Sequence, residues 1–181
     1  MKILIFGLPG SGKTTLAKPL CDLLSAIHLN GDDVRRHYEG HDVSKWDFTY
    51  EGRIHQASRM GMIADGIVRT GKICVADFVC PTQELRDIFK PDFTVWMNTI
   101  EESPYADTNA LFEPPKDHRY GIDYHVSKWF DDTHAQLVPV VERFMKKQQE
   151  TPVGYHAWRL DQQQGSITHR PDIKHEDWPE G

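Results

Sequence analysis

The sequence predicts an α/β fold with a central parallel sheet, and three features carry the prediction. A nearly continuous apolar run, "KILIF" (2–6), leads straight into a glycine-rich loop, as a strand buried on both faces does. Strand-like runs then alternate with helix-period segments, the order that builds a parallel sheet. Finally, 181 residues suit one domain that buries a core without disulfides or metal.

Residues 12–25 read as a helix with Leu16, Leu20, Leu23 and Leu24 on its apolar face. Pro19 inside it is expected to bend it or cost one backbone hydrogen bond. "AIHLN" (26–30) is a second strand, and a short helix spans 31–38. A loop to Asp47 precedes a long helix over 49–70, stopped at Gly71. "KICVADFV" (72–79) and "DFTVWMN" (92–98) are β-prone strands, with a helix over 82–89 capped by Thr82 between them. The stretch 100–126 is rich in proline, aspartate and histidine and reads as a long irregular segment or lid. A helix over 128–148 carries Pro139, and "VGYHAWRL" (153–160) is the last expected strand. One domain is therefore expected over 1–160, followed by a polar tail over 161–181.

Composition excludes several classes. The chain contains no apolar run of the ~20 residues that span a bilayer. Its net charge is −6 and it has no lysine/arginine cluster, which argues against a nucleic-acid partner while leaving room for a local phosphate pocket. Cys21, Cys74 and Cys80 lack CxxC spacing and read as buried thiols of a reducing compartment, hence a cytoplasmic protein. The opening residues read as a strand and not as a signal or transit peptide. The histidines show no metal-ligand spacing, and a homodimer is left open.

Chemistry enters at "GLPGSGKTT", Gly7, Leu8, Pro9, Gly10, Ser11, Gly12, Lys13, Thr14 and Thr15. Gly7-x4-Gly12-Lys13-Thr14 after a strand and before a helix meets the phosphate-loop pattern in full. The glycines let backbone amides face phosphate oxygens, Lys13 supplies a charge between the outer phosphates, and the Thr14 hydroxyl is a Mg²⁺ ligand. The loop specifies a nucleoside triphosphate, with ATP and Mg²⁺ as donor and cofactor. No guanine-reading NKxD element is present, nor an apolar strand ending in Asp-Glu as in larger ATPases. Small size, a short second strand and a candidate lid point to a small-molecule kinase. The expected fold is a P-loop NTPase of the nucleoside-monophosphate-kinase-like kind, three layers around a parallel sheet of about five strands.

The acceptor side starts at "NGDDVRRH" (30–37), just past the second strand at the carboxyl edge of the sheet. Asp32 there either places Mg²⁺ or takes the acceptor hydroxyl's proton, or else serves as an acidic helix cap. Arg35 either holds an anionic acceptor or is a solvated arginine.

From Met1 to about Arg86 the chain resembles the adenylylsulfate kinase (APS kinase) family. That family follows its loop with Asp-Gly-Asp-x-(aliphatic)-Arg, then a phenylalanine and an Asp-Arg-x-x-Asn-x-x-Arg-like helix, then a strand ending Ala-Phe-Ile-Ser-Pro. Here Gly31, Asp32, Val34 and Arg35 match, with Asn30 in place of the first aspartate. Phe48 precedes "EGRIHQASR", where Arg53 and Arg59 match and Gln56 replaces the asparagine. Ala76, Phe78 and Pro81 match the last element, and Arg86 follows.

The resemblance implies ATP-dependent phosphorylation of the 3′-hydroxyl of adenylyl sulfate, with Lys13 and Asp32 as catalytic residues and Asp32, Arg35, Phe48, Arg53, Gln56 and Phe78 at the acceptor. Arg35, Arg53 and Arg86 suit phosphate and sulfate oxygens, and Phe48 and Phe78 suit a flat base between them. Three departures stand out. Cys80 replaces a serine, Asp77 replaces a small residue, and the 100–126 segment lacks the family's lid, with Lys116 and Arg119 as the nearest substitutes for its charges. Asp77 either orients Mg²⁺ through water or caps the next helix. Two other readings remain: a kinase for a nucleoside, sugar acid or polynucleotide end, and a nucleotide-binding module without turnover.

Overall fold

The computed structural model of the chain describes residues 1–115 and 122–150. Lys116, Arg119, the expected strand over 153–160 and the tail over 161–181 lie outside them. The chain divides into two compact units, Met1–Val141 and Glu142–Gly181. The first carries the sheet and the candidate site.

Five parallel strands form the sheet: β1 (Lys2–Gly7), β2 (Ile27–Asn30), β3 (Cys74–Asp77), β4 (Phe93–Met97) and β5 (Tyr124–Val126). Their spatial order is β2-β3-β1-β4-β5, so β1 is central and its six residues are all buried. The helices are α1 (Lys13–Leu24), α2 (Gly31–Glu39), α3 (Tyr50–Arg69), α4 (Gln83–Phe89), α5 (Ala106–Leu111) and α6 (Thr133–Glu150). Because side chains alternate across a strand, Leu4, Phe6 and Ala76 meet Ala57, Met60 and Ala64 of α3 and Leu85 and Phe89 of α4 in one core cluster. Ile3, Ile5 and Val75 point the other way and are fully buried, as are Leu16, Ala17 and Leu20 of α1. The result is the three-layer α/β fold expected.

Two expectations need correction. Leu23 is 54% exposed, because the buried stripe of α1 is Leu16, Ala17, Leu20 and Cys21. The segment 100–126 is not irregular throughout, since it holds α5 and β5. β5 is three residues long, and pairing with β4 is what makes it a strand: Val95 lies opposite Tyr124, and the Trp96 and His125 rings stack at 4.4 Å. Such a strand has no period long enough to read from sequence. α5 is pinned by Asn109, whose amide accepts from Ser103 N and Oγ and donates to its carbonyl. No helix among the described residues is long and apolar enough to cross a membrane.

Candidate active site

The strands β1, β2 and β3 all end at one edge, and the loop that follows β1 closes the floor of a cavity of ≈ 570 Å³ there. Gly7 lies at φ +154°, and a Cβ on it would stand 2.3 Å from the Met97 carbonyl oxygen, so only glycine lets the loop pass β4. Gly12, at φ +86°, is the N-cap of α1 and offers no side-chain acceptor, which leaves the first amides of the helix facing the cavity.

Lys13 Nζ donates to the Leu8 carbonyl at 2.8 Å, folding over its own loop. Burial pushes its pKa down from 10.5 to about 8, against the pull of Asp77 and then Asp32. The folded chain therefore holds fewer protons on Lys13 than the unfolded chain between these values. Stability without ligand should rise with pH across that window, while phosphate binding, which needs the ammonium, should weaken. For metal-free nucleotide titrated by calorimetry, affinity is expected to fall about tenfold between pH 7 and pH 9. An identical pH profile in Lys13→Ala would assign the effect elsewhere.

Asp77, at the tip of β3, is 2% exposed and gathers three neighbours. The Thr14 hydroxyl donates to its Oδ2, His28 Nε2 lies 2.8 Å from Oδ1, and Asn30 Nδ2 donates to both oxygens at 3.1 and 3.2 Å. Its reading as a cap for the following helix fails, because Thr82 Oγ1 fills that place by accepting from Leu85 N. Asp32 is not a cap either. Asn30 Oδ1 accepts from the amides of Asp32 and Asp33 and starts α2, leaving the Asp32 carboxylate exposed on the cavity wall.

Across from the loop the cavity is walled by Trp46, Phe48, Arg53, Phe78, Tyr105, Asp107 and Thr108. A smaller adjoining recess adds Arg35 and Gln56, so the structure brings Arg35, Phe48, Arg53, Gln56 and Phe78 together. Phe48 is 44% exposed and lies beneath two guanidiniums, with Arg35 at 4.8 Å and Arg53 at 5.7 Å from its ring centre. Phe78 is half-buried, edge-on to Phe89 at 5.5 Å, and so belongs partly to the core. Gln56 Nε2 donates to the Gly31 carbonyl at 2.8 Å, fixing the direction of the amide.

Arg35 and Arg53 already have acidic partners. Arg35 bonds Glu39 and the Asp47 carbonyl, and Arg59 reaches the same Glu39 at 2.6 Å. Arg53 Nε donates to the Phe48 carbonyl, and its Nη2 donates to Asp107 and to Thr108 Oγ1. These α5 residues were not foreseen, since the segment carries no pattern that would announce them.

Arg86 does not join the site. It is 3% exposed, packs on Phe6, and gives its N–H groups to the carbonyls of Cys80, Pro81 and Glu113. Cys80 is buried beside it, and burial pushes its thiol far above the usual range, away from the nucleophilic thiolate. The three cysteines are free and buried.

Gly31 packs tightly at the junction of β2 and α2, where a Cβ would sit 2.5 Å from Phe78 Cβ and 3.3 Å from the Asp77 carbonyl oxygen. Neither atom moves without its backbone. Gly31→Ala is expected to destabilise the chain by about 1–3 kcal/mol, read from urea unfolding. An unchanged midpoint would show that the two strand ends are free to separate.

Among the described residues no three His, Cys, Asp or Glu side chains converge on a metal. The donor set by the loop is instead the Thr14 hydroxyl, the Asp77 carboxylate and the nearby Asp32, hard oxygens of the kind Mg²⁺ takes alongside phosphate.

Among curated proteins, a probable adenylyl-sulfate kinase of Aeropyrum pernix is 35% identical over 85 residues, covering 46% of each chain. An adenylyl-sulfate kinase of Shewanella baltica is 37% identical over 95 residues, 49% of this chain and 44% of that one. The chain thus spans about half the length of the curated relatives it matches. A solved APS kinase of Mycobacterium tuberculosis, in complex with AMPPNP and APS, superposes with a TM-score of 0.61 at 17% identity, over 78% of this chain and 96% of that one. That likeness concerns the fold. The adenylylsulphate kinase family profile matches residues 1–106, more than half of the chain and with the phosphate loop inside that span, so the chain belongs to this family.

Proposed function

We propose that the chain uses ATP to phosphorylate the 3′-hydroxyl of adenylyl sulfate, giving 3′-phosphoadenylyl sulfate and ADP. The observation that carries this reading is one cavity with a phosphate loop as its floor and Phe48, Phe78 and Arg53 on the facing wall. The 3′-oxygen attacks the γ-phosphorus, the bond from that phosphorus to the β,γ-bridging oxygen breaks, and the hydroxyl proton passes to Asp32. Lys13 swings from the Leu8 carbonyl to the outer phosphates and offsets charge that grows during transfer. The loop amides and the N-terminus of α1 hold the remaining phosphate oxygens. Phe48 and Phe78 take the base, and Arg35, Arg53 and Gln56 face the phosphosulfate end. Thr14 and the carboxylates of Asp32 and Asp77 would hold Mg²⁺, which when bound would supply charge to neutralise the phosphates.

The three free, buried cysteines suit a reducing, cytoplasmic setting, and a homodimer, checked by light scattering, belongs to the same reading. The test is an acceptor screen with ATP and Mg²⁺, scored by product mass. A phosphate added to adenylyl sulfate at the 3′ position supports the proposal. Transfer only to sugar acids, nucleosides or polynucleotide ends would make the chain a kinase of another acceptor, and ATP binding without transfer would make it a regulatory module.

A further inference from the structure

Two of the chain's departures from its family pattern are one change seen from two sides. Position 30, the first aspartate of the family's Asp-Gly-Asp run, is Asn30, and position 77, ordinarily small, is Asp77. In the sheet these two residues are register partners on the adjacent parallel strands β2 and β3. Their side chains touch, with Asn30 Nδ2 bridging both Asp77 oxygens and reaching Thr14 Oγ1 at 3.3 Å.

We infer that the carboxylate facing the metal–phosphate end of the site has moved across this register pair, so that Asp77 supplies it and Asn30, with His28, holds it in place. The inference rests on the kinase reading above and adds to it a positioning role for Asn30 and His28. A carboxylate this deeply buried costs free energy unless hydrogen-bonded, and four contacts from Thr14, His28 and Asn30 meet that need. The direction of the Thr14 bond matters as well. Its O–H points at Asp77 and one lone pair of its oxygen faces Asn30 Nδ2, which leaves the other for a cation on the phosphate side. Asn30 does two tasks with one amide, since its oxygen starts α2 while its nitrogen grips Asp77. An aspartate at 30 would also start the helix, so the cap did not require asparagine. The second carboxylate did: two acids at hydrogen-bond distance cannot both stay ionised.

The test uses the full chain with Mn²⁺ and AMPPNP, reading bound Mn²⁺ by electron paramagnetic resonance and nucleotide affinity by calorimetry with and without the metal. Asp77→Asn is expected to weaken Mn²⁺ in the ternary complex by about tenfold to a hundredfold. Metal-free nucleotide affinity should stay within about threefold, because loop amides and Lys13 carry it. The swap Asn30→Asp/Asp77→Asn reverses the N–H···O bond without changing either side chain's size. It is expected to recover Mn²⁺ affinity to within about threefold of the parent. Thermal melts of both variants verify folding, and the isosteric swap serves if Asp77→Asn alone does not fold. Unchanged Mn²⁺ affinity in Asp77→Asn, or a swap no better than that single variant, overturns the inference. Because neither readout needs an acceptor, failure to phosphorylate adenylyl sulfate is a separate result.

Discussion

Lys13→Ala is expected to lower phosphoryl transfer by about 10³-fold or more while leaving the fold intact. The two halves of that outcome have separate causes. Catalysis suffers because Lys13 is the positive side chain on the loop that can reach between the outer phosphates, and among the described residues no other cation lines the floor of the cavity. Arg53 is on the opposite wall, committed to Phe48, Asp107 and Thr108. Folding is spared because Lys13 is not one of the buried core residues. Its one recorded hydrogen bond is to the Leu8 carbonyl in the same loop, and removing an ammonium whose burial is unfavourable relieves a cost. Single-turnover kinetics beside a thermal melt decide the matter. Turnover within a few-fold of the parent would remove the kinase assignment altogether.

Asp32→Asn is expected to cut turnover by at least about 10²-fold, with nucleotide affinity nearly unchanged. The substitution keeps the shape and removes only the charge and the proton acceptor. Since Asn30 starts α2, losing the carboxylate sacrifices no cap, only a modest favourable charge at the helix N-terminus. The effect should therefore appear in kcat with little movement in the melting temperature. Normal turnover in Asp32→Asn would return the residue to a purely structural role.

The parts of the molecule that depend on local pattern were legible in the sequence. β1, α1, β2, α2, α3, β3, α4 and β4 lie within a few residues of their expected bounds: the strands are dense apolar runs, α1 has an apolar face, α3 stops at Gly71 and α4 starts at Thr82. The loop was legible to the residue, since phosphate binding fixes glycine, lysine and threonine at set intervals. What escaped depends on partners distant in sequence. β5 is a strand through its pairing with β4, and Asp107 and Thr108 matter only because α5 brings them against Arg53. Arg86 looked like a ligand at the right interval, yet its guanidinium turns inward to three carbonyls. The direction of an arginine is set by which unpaired oxygens lie within reach, and spacing does not record that. Asp77 was noticed as a departure, but its tie to Asn30 became visible only through the strand register.

The hydrogen bonds from Arg53 to α5 have a thermodynamic corollary. Both hydrogens of its Nη2 are occupied, one by Asp107 and one by Thr108. On the proposed reading, an acceptor anion that claimed Nη2 would have to evict Asp107, and acceptor occupancy and α5 docking would then oppose one another. Such opposition is reciprocal: whatever the anion subtracts from α5 docking, α5 docking subtracts from the anion's affinity, by an equal free energy. Asp107→Asn weakens the incumbent and so should tighten the acceptor, with the size of the gain reporting how firmly α5 was held. If the acceptor takes Nη2, its dissociation constant would thereby also gauge a helix six residues long.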